Sequence, residues 1–242
     1  MKTIGLIGGM SWESTATYYR LINEAVRARR GGLASADILM HSLDFSLVVD
    51  LQKADRWTDA GILLGTSGAG LARAGADCVL ICTNTMHLVS EPVARMAGVP
   101  LIDIIDETAK ALKTDGRRKP LLMATRYTME HGFYAERMAA HGIHVEVPDA
   151  ADRTTVHDVI FEELCRGVIR PSSRATFEAI VEKARGTGAD SVILGCTEIS
   201  LLVSPDGLAL PGYDSTAIHA AAAVDFALGP QVVAPKGDVQ AA

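Results

Sequence analysis

Two short runs hold the residues best suited to chemistry. Cys82-Thr83-Asn84-Thr85-Met86-His87 closes the apolar stretch Gly75-Ala76-Asp77-Cys78-Val79-Leu80-Ile81. A near copy, Gly188-Ala189-Asp190-Ser191-Val192-Ile193-Leu194-Gly195, ends in Cys196-Thr197-Glu198. Each copy reads as a helix end, a buried strand, then Cys-Thr at the strand's C-terminal tip. The second copy carries one extra residue, Gly195, before its cysteine. Two thiols in matching places of two similar halves suit a reaction at one carbon approached from both faces. One group removes a proton from a carbon beside a carboxylate, and the other returns a proton from the opposite side. A single base would tend to give the proton back to the face it came from. Such a pair works as one thiolate and one thiol. The ordinary thiol pKa of ~8.5 must fall for the base; a helix N-terminus beside each strand tip would lower it, and burial would oppose that. The carbanion would be held as an enolate-like species by aimed N–H and hydroxyl donors, and Thr83, Asn84, Thr85 and Thr197 carry such donors.

The other candidates read more plainly. Cys78 falls mid-strand and Cys165 near a helix end, where a free cysteine is usually a small buried apolar residue. Along a strand Cys78 and Cys82 stand ~13 Å apart, too far to share a metal ion or a disulfide. There is no CxxC, and no metal site is expected. His87 reads as a packing or capping residue of its helix. Glu198 would orient a substrate ammonium or the neighbouring thiol, or make a first-turn dipole contact. Gln52 follows the second strand and on spacing alone is a surface residue. Gly8-Gly9-Met10-Ser11 makes a tight strand-to-helix turn with free N–H groups. It is neither a G-x-G-x-x-G fingerprint nor a P-loop.

The elements that must position these residues alternate. Strands are expected at 2–7, 36–43, 77–81 and 99–102, and helices at 14–30, 47–54, 58–74 and 85–96. Such alternation demands crossover connections and a mainly parallel sheet. A helix at 103–113 leads to the exposed turn Asp115-Gly116-Arg117-Arg118-Lys119-Pro120, the best boundary signal in the chain. The cycle then restarts: strands at 121–124, 143–146, before Cys196 and at 208–212, helices at 131–141, 152–166, 172–187 and 214–228. Thr125-Arg126-Tyr127-Thr128 takes the place that Gly8-Gly9-Met10-Ser11 has in the first half. The fold class is therefore α/β: two pseudo-symmetric units, each a mainly parallel four-stranded sheet flanked by helices, with the active site in the cleft between them. Ligands bind beyond the carboxyl ends of parallel strands, where all these turns lie. The tail at 229–242 lacks periodicity and is expected to be disordered. The chain has 242 residues, 48% of them hydrophobic, enough for one large domain or two small ones. A formal charge of -6 argues against a nucleic-acid partner. The N-terminal apolar run is too short for a signal peptide or membrane span, so a cytoplasmic protein with reduced cysteines is expected.

On Cys82-Thr-Asn-Thr-Met-His87 and Gly195-Cys-Thr-Glu-Ile199 the chain resembles the aspartate/glutamate racemase family, enzymes similar to glutamate racemase that use two cysteines and neither pyridoxal phosphate nor metal. The resemblance runs from Ile4-Gly-Leu-Ile-Gly-Gly-Met-Ser-Trp-Glu-Ser-Thr15 to Ile218-His219-Ala220. Within the family it looks closest to racemases of broad acidic amino-acid specificity. The resemblance implies a catalytic pair at Cys82 and Cys196 and substrate contacts at Met10, Gln52, Thr83, Asn84, Thr85, Thr197 and Glu198. It implies no cofactor, a small acidic amino acid as substrate, and a homodimer. It also implies domains of 1–102 with 214–228, and 103–213, the last helix crossing back to the first. Glutamate racemases carry Cys-Thr-His in the second motif; here Glu198 stands in place of that His. Arg126 and Arg166 are the nearest basic candidates for a side-chain carboxylate. The expected reaction is racemisation of aspartate or glutamate. The alternatives are a maleate isomerase or hydantoin racemase activity on the same fold, or a non-catalytic binder of acidic metabolites.

Overall fold

Apolar runs of four or five residues, each ended by a polar or glycine turn and followed by a capped helix, build the first half of the chain. In the computed structural model β1 (Ile4–Gly8) turns at Gly9 and Met10 into α1 (Trp12–Arg30), whose N-cap Ser11 accepts a hydrogen bond from the Ser14 N–H. Then come β2 (Ile38–Ser42), α2 (Phe45–Lys53) capped by Asp44, α3 (Trp57–Arg73) and β3 (Cys78–Ile81). A 3₁₀ segment, Thr85–Val89, precedes α4 (Ser90–Ala97), and α5 (Ile104–Thr114) is capped by Asp103. The second half holds β4 (Pro120–Met123), α6 (Arg126–Glu130), α7 (Phe133–Ala140) and α8 (Ala150–Asp158), which widens into a π turn at Val159–Glu163 and closes as 3₁₀ at Leu164–Arg166. It ends with α9 (Pro171–Gly186), β5 (Ser191–Leu194), α10 (Ile199–Leu202), β6 (Gly212–Asp214) and α11 (Ser215–Leu228). The structure describes residues 1–229, so the tail expected at 229–242 lies, from 230 on, outside the described residues.

Both sheets are parallel throughout, in the orders β2-β1-β3 and β4-β5-β6. The two halves match. Leu101 bridges to Val79 beside β3, and Glu146 bridges to Leu121 beside β4. The four-stranded sheets expected from sequence are thus three strands plus a single bridged pair. Pro100 has no N–H to extend the first of these short edges, and Pro148 closes the second. The final strand begins at Gly212 rather than Leu208, after Pro211. Gly212 packs against Pro205, where a Cβ would lie 2.6 Å from the proline Cα. The helix expected over 85–96 is split, because Pro92 cannot donate back to Leu88.

Three buried clusters hold the layers. Ile4, Leu6, Cys78, Leu80 and Cys82 pack against Tyr18 and Ile22 of α1 and Ala220, Ala223 and Val224 of α11. Val79 and Ile81, on the other face of β3, pack with Leu64 of α3 and Val93 of α4. The core of the second half includes Ile104, Ile105 and Leu112 of α5. So α11 shares the core of the first sheet and α5 that of the second.

Candidate active site

The tips of β1, β3, β4 and β5 end around one cleft of about 550 Å³, open mouth included. The β1–α1 turn gives Met10, Ser11 and Ser14; the β3 tip gives Thr83, Asn84, Thr85 and Met86. Thr125 caps α6 just past β4 and Tyr127 lies in α6, while Gly195, Cys196, Thr197 and Glu198 form the turn after β5. Phe45 and Gln52 of α2 complete one wall; Ile160, Phe161 and Cys165, from the widened end of α8, complete another. Every position that the resemblance implied is therefore in this wall, apart from Cys82.

Hydrogen bonds tie the two halves together here. Ser11 and Ser14 hydroxyls both donate to Oε1 of Glu198 at 2.8 Å. The Cys196 thiol donates to the other oxygen, Oε2, at 2.9 Å. Three donors thus converge on a carboxylate only 5% exposed. Thr85, Thr125 and Thr128 hydroxyls form a triangle with edges of 3.0 to 3.2 Å. The Asn84 amide donates to Ser215 Oγ at 3.1 Å, and Ser215 in turn donates to the Leu194 carbonyl. Asn84 Oδ1 is buried with no hydrogen-bond partner, an acceptor left free in the cleft wall.

The two thiols are not in equivalent places. The Cys82 N–H donates to the Ile7 carbonyl, and the Gly195 N–H donates to the Met123 carbonyl. Ile7 and Ile81 are paired just as Met123 and Leu194 are. The counterpart of Cys82 is therefore Gly195, and the counterpart of Cys196 is Thr83. One residue reverses the side-chain direction on an extended chain. Cys196 accordingly opens into the cleft. Cys82 lies behind its wall, fully buried in the cluster shared by β1, α1 and α11. Burial raises the Cys82 pKa well above the ordinary thiol value. Burial first, and then the adjacent Glu198 charge, raise that of Cys196. The direction is opposite to that expected from helix N-termini: the helix after Cys196 has four residues and the segment after Cys82 is 3₁₀.

His87 is a strut. Its Nδ1–H donates to the Thr83 carbonyl at 2.8 Å, and its Nε2 accepts from the Ile104 N–H at 3.3 Å. Both ring nitrogens are used, which requires the neutral ring, and burial lowers its pKa accordingly. It joins the β3 tip to the start of α5. Neither basic candidate reaches the cleft wall: Arg126 is exposed, and Arg166 pairs with Glu162 on the surface. Sequence reasoning placed Ser11 only as part of the β1–α1 turn, and missed Ser14, Phe45, Phe161 and Cys165. A capping serine is recognisable in sequence, but its second bond, to Glu198 187 residues away, is not. Cys165 faces the cleft because α8 changes its winding just before it. Among the described residues no group of three or more His, Cys, Asp or Glu side chains is placed to hold a metal ion. No helix there is long and apolar enough to cross a membrane.

Two parallel sheets meet at their carboxyl edges around one cleft, with a thiol–carboxylate pair in its wall, an arrangement sized for one small substrate. Residues 7–223 match the model of the Asp/Glu/Hydantoin racemase family, and the chain belongs to that family. A Yersinia pestis structure, provisionally described as an Asp/Glu racemase, is 47% identical, with a TM-score of 0.89 over 94% of this chain and all of that one. An aspartate racemase homologue from Pyrococcus horikoshii OT3 is 32% identical, with a TM-score of 0.83 over 94% of this chain and 99% of that one. The broad specificity amino-acid racemase RacX of Bacillus subtilis (strain 168) is 23% identical over 94% of this chain and 99% of its own. The enzymatic class that goes with membership is amino-acid racemase, an isomerase independent of pyridoxal phosphate.

Proposed function

We propose that this protein racemises a free α-amino acid by two-base proton transfer, with Cys196 and Cys82 as the two thiols. The observation that carries the reading is the Cys196 thiol donating to buried Glu198 in the wall of the cleft. Moving the thiol proton to the carboxylate gives a thiolate and a neutral acid without adding net charge to a dry site. The thiolate then takes the α-proton, and a thiol on the opposite face supplies another. Hydroxyls and N–H groups at Thr83, Thr85 and Thr197 serve the substrate carboxylate, and Asn84 Oδ1 its ammonium. Cys82 supports its role by position: it directly precedes the cleft-lining run Thr83–Met86 at the tip of β3. To act, its side chain must come through the wall as substrate binds. Cys165 favours a second reading, since it lines the same cleft as Cys196 and would replace Cys82 as the partner thiol.

Aspartate and glutamate, the substrates that the family resemblance implies, are tested first within a wider panel of amino acids. In deuterium oxide the α-carbon should take up label as the other enantiomer appears. No exchange from any α-amino acid would refute the proposal. Loss of racemisation in Cys82→Ala with retention in Cys165→Ala supports the first pairing, and the reverse supports the second. The domain division at 1–102 with 214–228 and 103–213 belongs to the same proposal, supported by the core that α11 shares with the first sheet. So do the cytoplasmic setting and the homodimer. Exposed Trp12 and Tyr19, seven residues apart on one face of α1, support the dimer, which sedimentation would detect.

A further inference from the structure

The four free cysteines divide by access. Cys78 and Cys82 are fully buried in the core shared by β1, α1 and α11. Cys165 and Cys196 both line the open cleft, and both pack on the core of the second half. Cys196 stands in the turn after β5, and Cys165 in the 3₁₀ turn Leu164–Arg166 that closes α8. That turn packs against α10, which starts just past Glu198, with Cα atoms of the two elements within 8 Å. Glu198 is a neighbour of both thiols: Cys196 donates to it at 2.9 Å, and its charge helps hold both in the protonated form.

A thiolate, not a thiol, attacks a peroxide. Passing the Cys196 proton to Glu198 makes that thiolate and removes the Glu198 charge. The step that would start racemisation therefore also opens Cys196 to oxidation when no substrate fills the cleft. The Cys196 sulfur attacks one oxygen of hydrogen peroxide, the O–O bond breaks, and the leaving hydroxide takes the proton back from Glu198 as water. Cys196 is left as a neutral sulfenic acid, which condenses with a thiol to a disulfide. The Cys165 sulfur attacks the Cys196 sulfur, the S–O bond breaks, and the hydroxyl leaves with the Cys165 proton as a second water. The two thiols lose two electrons and the peroxide gains them. A disulfide needs Cα atoms within ~7 Å. The π and 3₁₀ winding over Val159–Arg166, with poorer hydrogen bonds than an α-helix, lets the Cys165 side give.

We infer that Cys196 and Cys165 form a reversible disulfide under peroxide, with Cys196 the oxidised thiol and Cys165 the resolving one, and that this bond shuts off the cleft. The inference rests on the Cys196–Glu198 proton transfer of the racemase reading and adds its regulation. Reduced wild-type protein, freed of reductant, is treated with hydrogen peroxide near neutral pH and digested after the remaining thiols are blocked. Mass spectrometry should find the Cys165 and Cys196 peptides joined. Exchange at the α-carbon over the amino-acid panel should fall at least about tenfold and return with dithiothreitol. In Cys165→Ser the same treatment should carry Cys196 on to the sulfinic acid, which dithiothreitol does not reverse. No joined pair in the wild type, a bond to Cys78 or Cys82 instead, or equal sulfinic acid in wild type and Cys165→Ser overturns the inference. The peptide map needs no turnover and decides without the variant. A joined pair in a protein that exchanges no amino acid leaves the disulfide standing and refutes the racemase reading. Exchange without a joined pair does the reverse.

Discussion

The sulfur of Cys196 lies 2.9 Å from Oε2 of Glu198, and the other oxygen of that carboxylate accepts from two serines of the opposite half. Glu198 therefore fixes the thiol and joins β5 to the β1–α1 turn, and in the proposed reaction it is the group that takes the thiol proton. In Glu198→Gln the side chain keeps its size but loses its charge and its capacity as a proton acceptor. We expect kcat to fall by about 10²–10⁴-fold, the range for loss of a positioned acid–base group, with a smaller change in KM. Steady-state kinetics on the best amino acid of the panel checks this. A kcat within a few-fold of wild type would show that the thiol needs no acceptor.

Cys82 and Cys196 differ in access. Cys82 is fully buried and its thiol is pushed up by desolvation, as is Cys78, raised to about 12. Burial raises the Cys165 and Cys196 thiols too, Cys165 to about 12, but these two line the cleft, so the open path alone separates the pairs. Alkylation requires both a thiolate and an open path. Iodoacetamide near neutral pH is therefore expected to modify Cys165 and Cys196 before Cys78 and Cys82, with Cys82 at least about a hundredfold slower than a free thiol. Peptide mass spectrometry over time reads the order. Should Cys82 label first, its side chain does not rest in the core of β1, α1 and α11.

Much of this was open to reading from the sequence, for definite reasons. Apolar runs of four or five residues ended by glycine or Cys-Thr located the parallel strands, and the repeated run located both tips. The cleft positions Met10, Thr83 to Thr85, Thr197 and Glu198 followed, because loops after parallel strands converge. What escaped was set by single residues and by distant partners. Gly195 is a single extra residue in the second copy, yet it decides which face the second thiol presents. A Cβ there would lie 3.0 Å from Ala124 Cβ and 3.3 Å from the Met123 carbonyl oxygen, so a larger residue would crowd the chain where it passes the end of β4. Gln52 read as a surface residue because burial by a facing tip has no local signature, and it proves 8% exposed. Pro92 stands in the sequence in plain view, but the missing bond it leaves at Leu88 acts one turn earlier, where the sequence itself reads as helix.

The buried histidine pair makes the fold acid-sensitive. His219 Nε2–H donates to the Ile102 carbonyl at 2.7 Å, so its Nδ1 accepts from the Tyr18 hydroxyl at 2.8 Å. Desolvation first, with nearby His87, lowers the His219 pKa from 6.5 to about 3. The unfolded chain then binds more protons than the folded one between these values, and stability falls as pH drops through that window. From pH ~6.5 to ~5 the loss from this residue is at most about 2 kcal/mol. We expect wild-type Tm to drop between pH ~7.5 and ~5. In His219→Gln, Tm should be lower at neutral pH but its drop on acidification smaller. Parallel drops in calorimetry would assign the acid sensitivity to other groups.

Two glycines with similar left-handed backbones separate conformational cost from packing cost. Gly32 has φ of 60° and open space where a Cβ would project, while Gly9 has φ of 87° and its Cβ would run into the Leu43 backbone. Gly32→Ala therefore bears only the left-handed penalty of roughly 1–2 kcal/mol. Gly9→Ala adds a collision with a chain that cannot move freely, because the Leu43 N–H donates to the Gly8 carbonyl at 3.0 Å. An overpacking cost of about 1–3 kcal/mol more is expected. It should also reach the chemistry, since Met10 and Ser11 follow Gly9 directly and Ser11 holds Glu198. Thermal denaturation and kcat/KM of both variants supply the comparison. Gly32→Ala should keep near-wild-type turnover, and Gly9→Ala should lose both Tm and activity. Equal destabilisation with unchanged activity in both would mean that the β1–α1 turn is not held against the end of β2 as this packing requires.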